Sequence, residues 1–226
     1  MDRRKNAWDL YAQSYDHVIP QLPFYQEVLG RHVTFLGFSE GPIADLGAGT
    51  GNAAIALARK GLPVVAVEAN GAMLHCLQSK IAPGMNVEVR HTSAEELEEF
   101  YDGQFAGVNI LLALYDMERP SACLSEAIRI LRPGGRLIVT EPSQHFRLEP
   151  LLEYVDDLLN KKKLSQIDRA DWERVRTANV ILDPTKRRGR LPVESIERDL
   201  LKVGSVKHAE PSHLGQCATI WFRKAS

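Results

Sequence analysis

Apolar positions along the 226-residue chain fall into short runs separated by stretches with helical spacing. Ile43–Leu46 and Val64–Val67 are compact apolar runs, and 87–91, 105–112 and 136–140 follow as further strand-like runs. Between them the period changes. Ile55, Leu57 and Ala58 fit a helix over 53–60, capped by Asn52 and closed by Gly61. Met73, Leu74, Leu77 and Ile81 fit a second helix. Leu124, Ala127, Ile128 and Leu131 fit a third over 121–131, stopped by Pro133-Gly134-Gly135. The late segment "ESIERDLLKVG" reads as a helix, and 205–209 and 217–223 as two last strands. Strands alternating with helices predict an α/β fold with a doubly wound, mostly parallel sheet. Ligands bind such sheets at the carboxyl ends of the strands.

Two segments lie outside this alternation. Residues 8–30 carry W-x-x-Y-A-x-x-Y-D, which places Tyr11 and Tyr15 on one helix face. Residues 143–191 separate the fifth strand from the last helix, with helical apolar spacing at Leu148, Leu151, Leu152, Val155, Leu158 and Leu159. A connection this long predicts a lid over a substrate pocket. The expected organisation is one domain: an N-terminal cap (1–40), a core (41–142), the lid (143–191) and a C-terminal helix with strands (192–226).

Composition adds class rather than detail. Hydrophobic residues make up 44% and charged residues 25%, as in a soluble globular protein. No apolar stretch approaches a membrane span, and "MDRRKNAWDLYAQ" has no apolar segment behind its charges, so neither a membrane partner nor secretion is expected. Cys76, Cys123 and Cys217 are odd in number and scattered, which reads as free thiols in a reducing, cytoplasmic compartment without a metal site. The net charge of −1 hides an asymmetry. Residues 161–190 hold ten Lys/Arg against four Asp/Glu, with runs at 161–163 and 186–190. Such runs are either solvated surface or a site for a phosphate, a carboxylate or nucleic acid.

The candidate chemistry starts at "IADLGAGTGNAAIALARKG" (43–61). Gly47, Gly49 and Gly51 allow positive φ and close approach of a ligand to the backbone. Helix N–H groups then point at whatever lies above. The spacing is G-x-G-x-G, one residue tighter than the nicotinamide and flavin fingerprint G-x-G-x-x-G. An NAD-linked oxidoreductase is therefore disfavoured. Glu68 ends the second strand, where a carboxylate can accept from both ribose hydroxyls.

On these residues the chain resembles the class I S-adenosylmethionine-dependent methyltransferases. "IADLGAGTG", "VVAVEANGAML", "VEVRHTSAEEL", "FAGVNILLALYDM" and "AIRILRPGGRLIVTEP" are similar to that family's motifs and stand in its order. The resemblance implies a Rossmann-like seven-stranded sheet whose last strand is antiparallel and inserted beside the fifth. It implies S-adenosyl-L-methionine as cofactor. Asp45 would hold the cofactor's ammonium. Gly47 and Gly49 would clear space for its methionine part, and Ala48 and Gly51 belong to the same implied cofactor set. Glu68 would clamp the ribose, Ala69 and Met73 would pack on adenine, and Ser93, Ala94 and Glu95 would face the adenine edge. Leu111 and Tyr15 complete the implied cofactor set. Met73 equally fits the ordinary core of its helix. Ser93 stands where the family usually has Asp, and it also forms S-x-x-E with Glu96, a capping box for a short helix.

No N/D-P-P-Y signature follows the fourth strand, which argues against base-amino nucleic-acid methyltransferases of that type. Candidates for acid–base work are His145, Tyr15 and Tyr115, with His17 and Asp116 nearby in the pattern; His145 leads because it follows the fifth strand on the ligand side. Tyr11, Arg187, Arg188 and Arg190 are the candidate acceptor-binding residues. The resulting expectation is methyl transfer to a small molecule, by O-methylation of an anionic or carboxylate-bearing metabolite. The alternatives are an RNA methyltransferase using the basic lid and a non-catalytic S-adenosylmethionine-binding regulatory module.

Overall fold

The structure, a computed structural model, describes residues 3–226, without the side chains of 3–6, 10, 13 and 208. Helices α1 (Arg3–Val18) and α2 (Pro23–Leu36) precede the sheet. Then come β1 (Ile43–Leu46), α3 (Asn52–Ala58), β2 (Val64–Val67), α4 (Gly71–Lys80) and β3 (Val87–Arg90). β4 (Phe105–Leu111), α5 (Pro120–Ile130) and β5 (Leu131–Pro142) complete the parallel part. Helices α6 (Glu149–Asn160) and α7 (Arg169–Leu182) form the insertion, followed by α8 (Val193–Leu200), β6 (Gly204–Ser212) and β7 (Cys217–Lys224).

The seven strands are ordered β3-β2-β1-β4-β5-β7-β6. β1 to β5 are parallel, and β7 runs antiparallel between β5 and β6. The chain therefore has the Rossmann-like α/β architecture, with β7 inserted where the resemblance implied. Strands buried on both faces read as continuous apolar runs. Ala44 and Leu46 face one core, shared with Leu124 of α5 and Ile196 of α8. Ile43 and Ala66 face the other, under Leu36 of α2 and Ile55 and Leu57 of α3. A third cluster joins α1 to α6 and α7 through Tyr11, Leu152, Val155, Trp172 and Val175. The insertion thus packs on the N-terminal helix at the ligand end of the sheet. No helix among the described residues is long and apolar enough to cross a membrane.

Local details differ from expectation where tertiary partners outcompete local ones. Asn52 does not cap α3; Gly51, at φ +85°, does so without a side chain. The Asn52 amide instead donates to Asp16 Oδ1 at 3.3 Å, and its carbonyl accepts from Lys80 Nζ at 3.1 Å. Gly61, also at φ +85°, closes α3: Gly61 N–H reaches the Ala58 carbonyl (2.9 Å) and Leu62 N–H that of Leu57 (3.4 Å). No helix follows Ser93. The segment is a turn whose Leu97 and Phe100 carbonyls accept from Arg129 at 2.8 and 2.7 Å, while Glu96 pairs with Arg119. β5 begins at Leu131, earlier than its apolar run. Leu131 pairs with Phe105, and the register then shifts over the Pro-Gly-Gly turn before Arg136 pairs with Gly107.

A Cβ at Gly51 would lie 2.1 Å from Leu77 Cδ1, inside the core under α4. Left-handed backbone costs about 1–2 kcal/mol for a non-glycine residue, and overpacking adds about 1–3 kcal/mol. Gly51→Ala is expected to lower stability by about 2–5 kcal/mol on these grounds, measured as a shifted urea midpoint. An unchanged midpoint would show that Leu77 yields without cost.

Candidate active site

Strand order reverses between β1 and β4, and a cavity of about 390 Å³ opens at their carboxyl ends. Beyond β1 the chain turns at Gly47 (φ +70°) and Gly49 (φ +56°). A side chain at Gly47 would fall 2.5 Å from Ala113 Cβ, so only glycine fits under the loop after β4. The Gly47 and Ala48 N–H groups donate to the Val67 carbonyl at 3.0 and 2.9 Å, pinning the turn to β2. Half-buried Glu68, just past β2, accepts from Gly49 N–H and Asn70 N–H, each at 2.7 Å. Burial pushes the Glu68 pKa up, and these N–H groups oppose it. Glu68 lines the cavity.

Asp45 lies at the buried end of β1, also on that wall. Its Oδ1 accepts from Asn109 Nδ2 at 2.7 Å, and among the described residues Oδ2 is buried without a hydrogen-bond partner. Burial raises its pKa to about 6, with Glu68 adding to the rise and hydrogen bonds from Asn109 and the Ala54 N–H opposing it. A buried carboxylate with one unpartnered oxygen fits a cation, and Glu68 beside it fits a vicinal diol. Ala69, Met73, Ser93, Ala94 and Glu95 line the adjoining wall. Met73 also packs into the cluster beneath α1, so both readings of it hold geometrically.

The other end of the cavity is apolar and aromatic. Tyr11 and Tyr15 of α1 sit edge to face at 5.0 Å, and Trp8 and Tyr25 extend the row. Tyr11 accepts from Asn179 Nδ2 of α7 at 3.3 Å, and Trp8 Nε1 donates to Asp116. Leu148, Leu152, Val155 and Trp172 of the insertion form the roof. Cys217 and His213 are among the polar groups on this wall. Burial, with His32 and Arg31 nearby, lowers the His213 pKa to about 4, so the imidazole is neutral at physiological pH.

Tyr11, Tyr15, Asp45, Gly47, Ala48, Gly49, Glu68, Leu111 and Tyr115 thus meet on one cavity with the wall residues already named. Others do not. His145 is exposed, hydrogen-bonded to its neighbour Gln144, and lies outside the lining. His17 is exposed and pairs with Asp171. Gly51 faces Leu77 rather than the cavity. Arg187, Arg188 and Arg190 also lie outside the lining: Arg187 donates to the Met117 carbonyl, Arg190 to that of Gln144, and Arg188 is exposed.

Residues 44–139 match the family described as a methyltransferase domain. That match supports the resemblance to the class I S-adenosylmethionine-dependent methyltransferases over the core of the sheet. It is 38% identical over 99 residues to a demethylmenaquinone methyltransferase of Clavibacter sepedonicus, covering 44% of this chain and 40% of that one. It is 31% identical over 103 residues to a ubiquinone biosynthesis O-methyltransferase of Pseudomonas fluorescens, covering 45% and 44%. The chain spans about half the length of the curated relatives it matches. Magnesium protoporphyrin IX methyltransferase from Synechocystis, solved with S-adenosylhomocysteine bound, superposes with a TM-score of 0.62 at 18% identity, over 89% of this chain and 84% of that one. Its likeness is one of fold.

Within this methyltransferase fold, sequence pattern alone singled out neither His213 nor Glu141. Glu141, buried at the end of β5, accepts from the Ala113, Leu114 and Tyr115 N–H groups at 2.7, 2.8 and 3.1 Å. It therefore holds the loop that roofs Gly47. Burial raises its pKa from 4.5 to about 8 against these N–H groups and the nearby Arg190. Between those values the folded state keeps a proton that the unfolded state has released, so this group's contribution to stability falls as pH rises across the window. Glu141→Leu leaves three buried N–H groups unpaired and is expected to cost about 3 kcal/mol or more. It should also flatten the pH dependence of stability. Urea unfolding at both ends of the window checks the two effects separately.

Proposed function

We propose that this protein transfers a methyl group from S-adenosylmethionine to a small, apolar, ring-bearing acceptor through a hydroxyl oxygen. The observation that carries the proposal is one cavity with two chemistries. Its polar end offers Glu68 and the Asp45 carboxylate, whose buried Oδ2 has no hydrogen-bond partner among the described residues, and its other end offers aromatic rings, an apolar roof and a neutral histidine.

When bound, the cofactor supplies an activated methyl on a sulfonium. The chain's own task is to align and to keep water out. Asp45 receives the ammonium, Glu68 the ribose hydroxyls, and the Gly47–Gly49 turn lets the backbone come close. The Tyr11 and Tyr15 rings and the insertion cover the acceptor. His213 carries a ring lone pair at neutral pH and is a group on that wall able to take the acceptor's hydroxyl proton. It replaces His145 in that role. Quinone-biosynthesis relatives that methylate at carbon and at oxygen support a ring-bearing acceptor. An anionic acceptor loses its ground, because no Lys or Arg lines the cavity among the described residues.

Calorimetry with S-adenosylhomocysteine tests the polar end. Binding to wild type is expected, and Glu68→Ala should weaken it by about 1–3 kcal/mol through loss of the diol acceptor. Binding requires ionised Asp45, whose free-state pKa is about 6. Affinity should therefore fall as pH drops below that value and level off above it, until the ligand's own ammonium loses its proton at alkaline pH. No binding, or equal binding by Glu68→Ala, would overturn the assignment. The acceptor end is checked with labelled methyl donor and paired phenols that differ by a carboxylate. Faster transfer to the uncharged member is expected, and transfer only to carboxylated members would restore the anionic reading.

A further inference from the structure

Behind Asp45 lies a buried row of polar side chains that binding does not by itself require. Asn109 stands opposite Asp45 in the parallel pairing of β1 and β4, and Thr140 stands opposite Thr219 in β5 and β7. His32 of α2 joins the two pairs. Its Nδ1 lies 2.6 Å from Asn109 Oδ1, its Nε2 lies 2.7 Å from Thr140 Oγ1, and Thr140 Oγ1 lies 2.7 Å from Thr219 Oγ1. His32, Asn109, Thr140 and Thr219 are fully buried and Asp45 nearly so, where an unmade hydrogen bond is costly.

Chemistry fixes the direction of every bond. An ionised carboxylate only accepts, so Asn109 must turn its NH2 to Asp45 and its carbonyl to His32. That carbonyl needs a donor, so His32 Nδ1 carries the hydrogen and Nε2 is bare. Nε2 must then accept from the Thr140 hydroxyl, whose oxygen accepts from Thr219. All four donors point the same way, toward the carboxylate.

We propose that His32, held as the neutral Nδ1–H tautomer, is a positioning residue that orients Asn109 and keeps Asp45 ionised, with Oδ2 left without a side-chain donor. The role rests on the reading of Asp45 as the ammonium-binding group, whereas the tautomer follows from the free protein's hydrogen bonds alone. Burial holds His32 neutral, and Arg31 on α2 acts in the same direction. Other titratable groups around the row are His213 beside His32, and Tyr25 of α2 and Glu68 beside Asp45.

Two measurements separate the claims. Long-range proton–nitrogen NMR on the ligand-free protein, with the His32 signal assigned by its absence in His32→Gln, should show Nδ1 protonated and Nε2 bare at neutral pH. An Nε2–H tautomer or an imidazolium would overturn the relay whatever the protein binds. Calorimetry with S-adenosylhomocysteine across pH is the second. His32→Leu should bind roughly tenfold more weakly, with its pH midpoint moved upward, because the carboxylate loses the donor chain that favours its charge. His32→Gln, which retains an N–H for Asn109, should recover part of the affinity and covers the case of a misfolded leucine variant. Wild-type affinity and an unchanged midpoint in both variants would overturn the positioning role. Failure of wild type to bind would instead sink the cofactor reading and leave the NMR result to decide the relay.

Discussion

A carboxylate at the dry end of β1 is the constraint on which the rest of this site depends. Placed there without partners, Asp45 would neutralise, and the switch point would lose its charge. The sheet supplies the first donor by register, because parallel pairing sets Asn109 opposite Asp45. The glycine turn supplies room, and Glu68 supplies a second acceptor while tying that turn to β2 through the Gly49 N–H. At the end of β5 the same logic recurs. Glu141 collects three backbone N–H groups and so fixes the loop whose Ala113 closes over Gly47. Acceptors buried at strand ends, each answered by oriented donors, position the turn from below and the loop from above.

Much of this was legible in the chain. The runs at 43–46 and 64–67 are strands with those bounds, because strands covered on both faces are apolar except where a polar group has a buried partner, as Asp45 has in Asn109. The tight glycine spacing and the carboxylate ending β2 marked the polar half of the cavity, since both features are local in sequence. The acceptor half was less legible. His213 reaches the wall only because the turn between β6 and β7 sits at the carboxyl end of β5, a fact of topology. Linear charge also misled: Arg187, Arg188 and Arg190 crowd within four positions, yet Arg187 and Arg190 run to backbone carbonyls, Arg188 is exposed, and none lines the cavity. The relay did leave a trace, in Asn109, Thr140 and Thr219 as polar residues inside otherwise apolar strands. Their partner His32 lies 77 residues before Asn109, beyond the reach of any pattern rule.

Helix α1 has a kinetic meaning that its packing alone does not display. Asp16 ties it to Thr50 and Lys80 beside the glycine turn, and Ser14 ties it to Asp171 of the insertion, so one helix spans donor and acceptor ends alike. Neither end can be uncovered alone without breaking the same strap. Whatever enters or leaves either end of the cavity does so against the same set of α1 contacts.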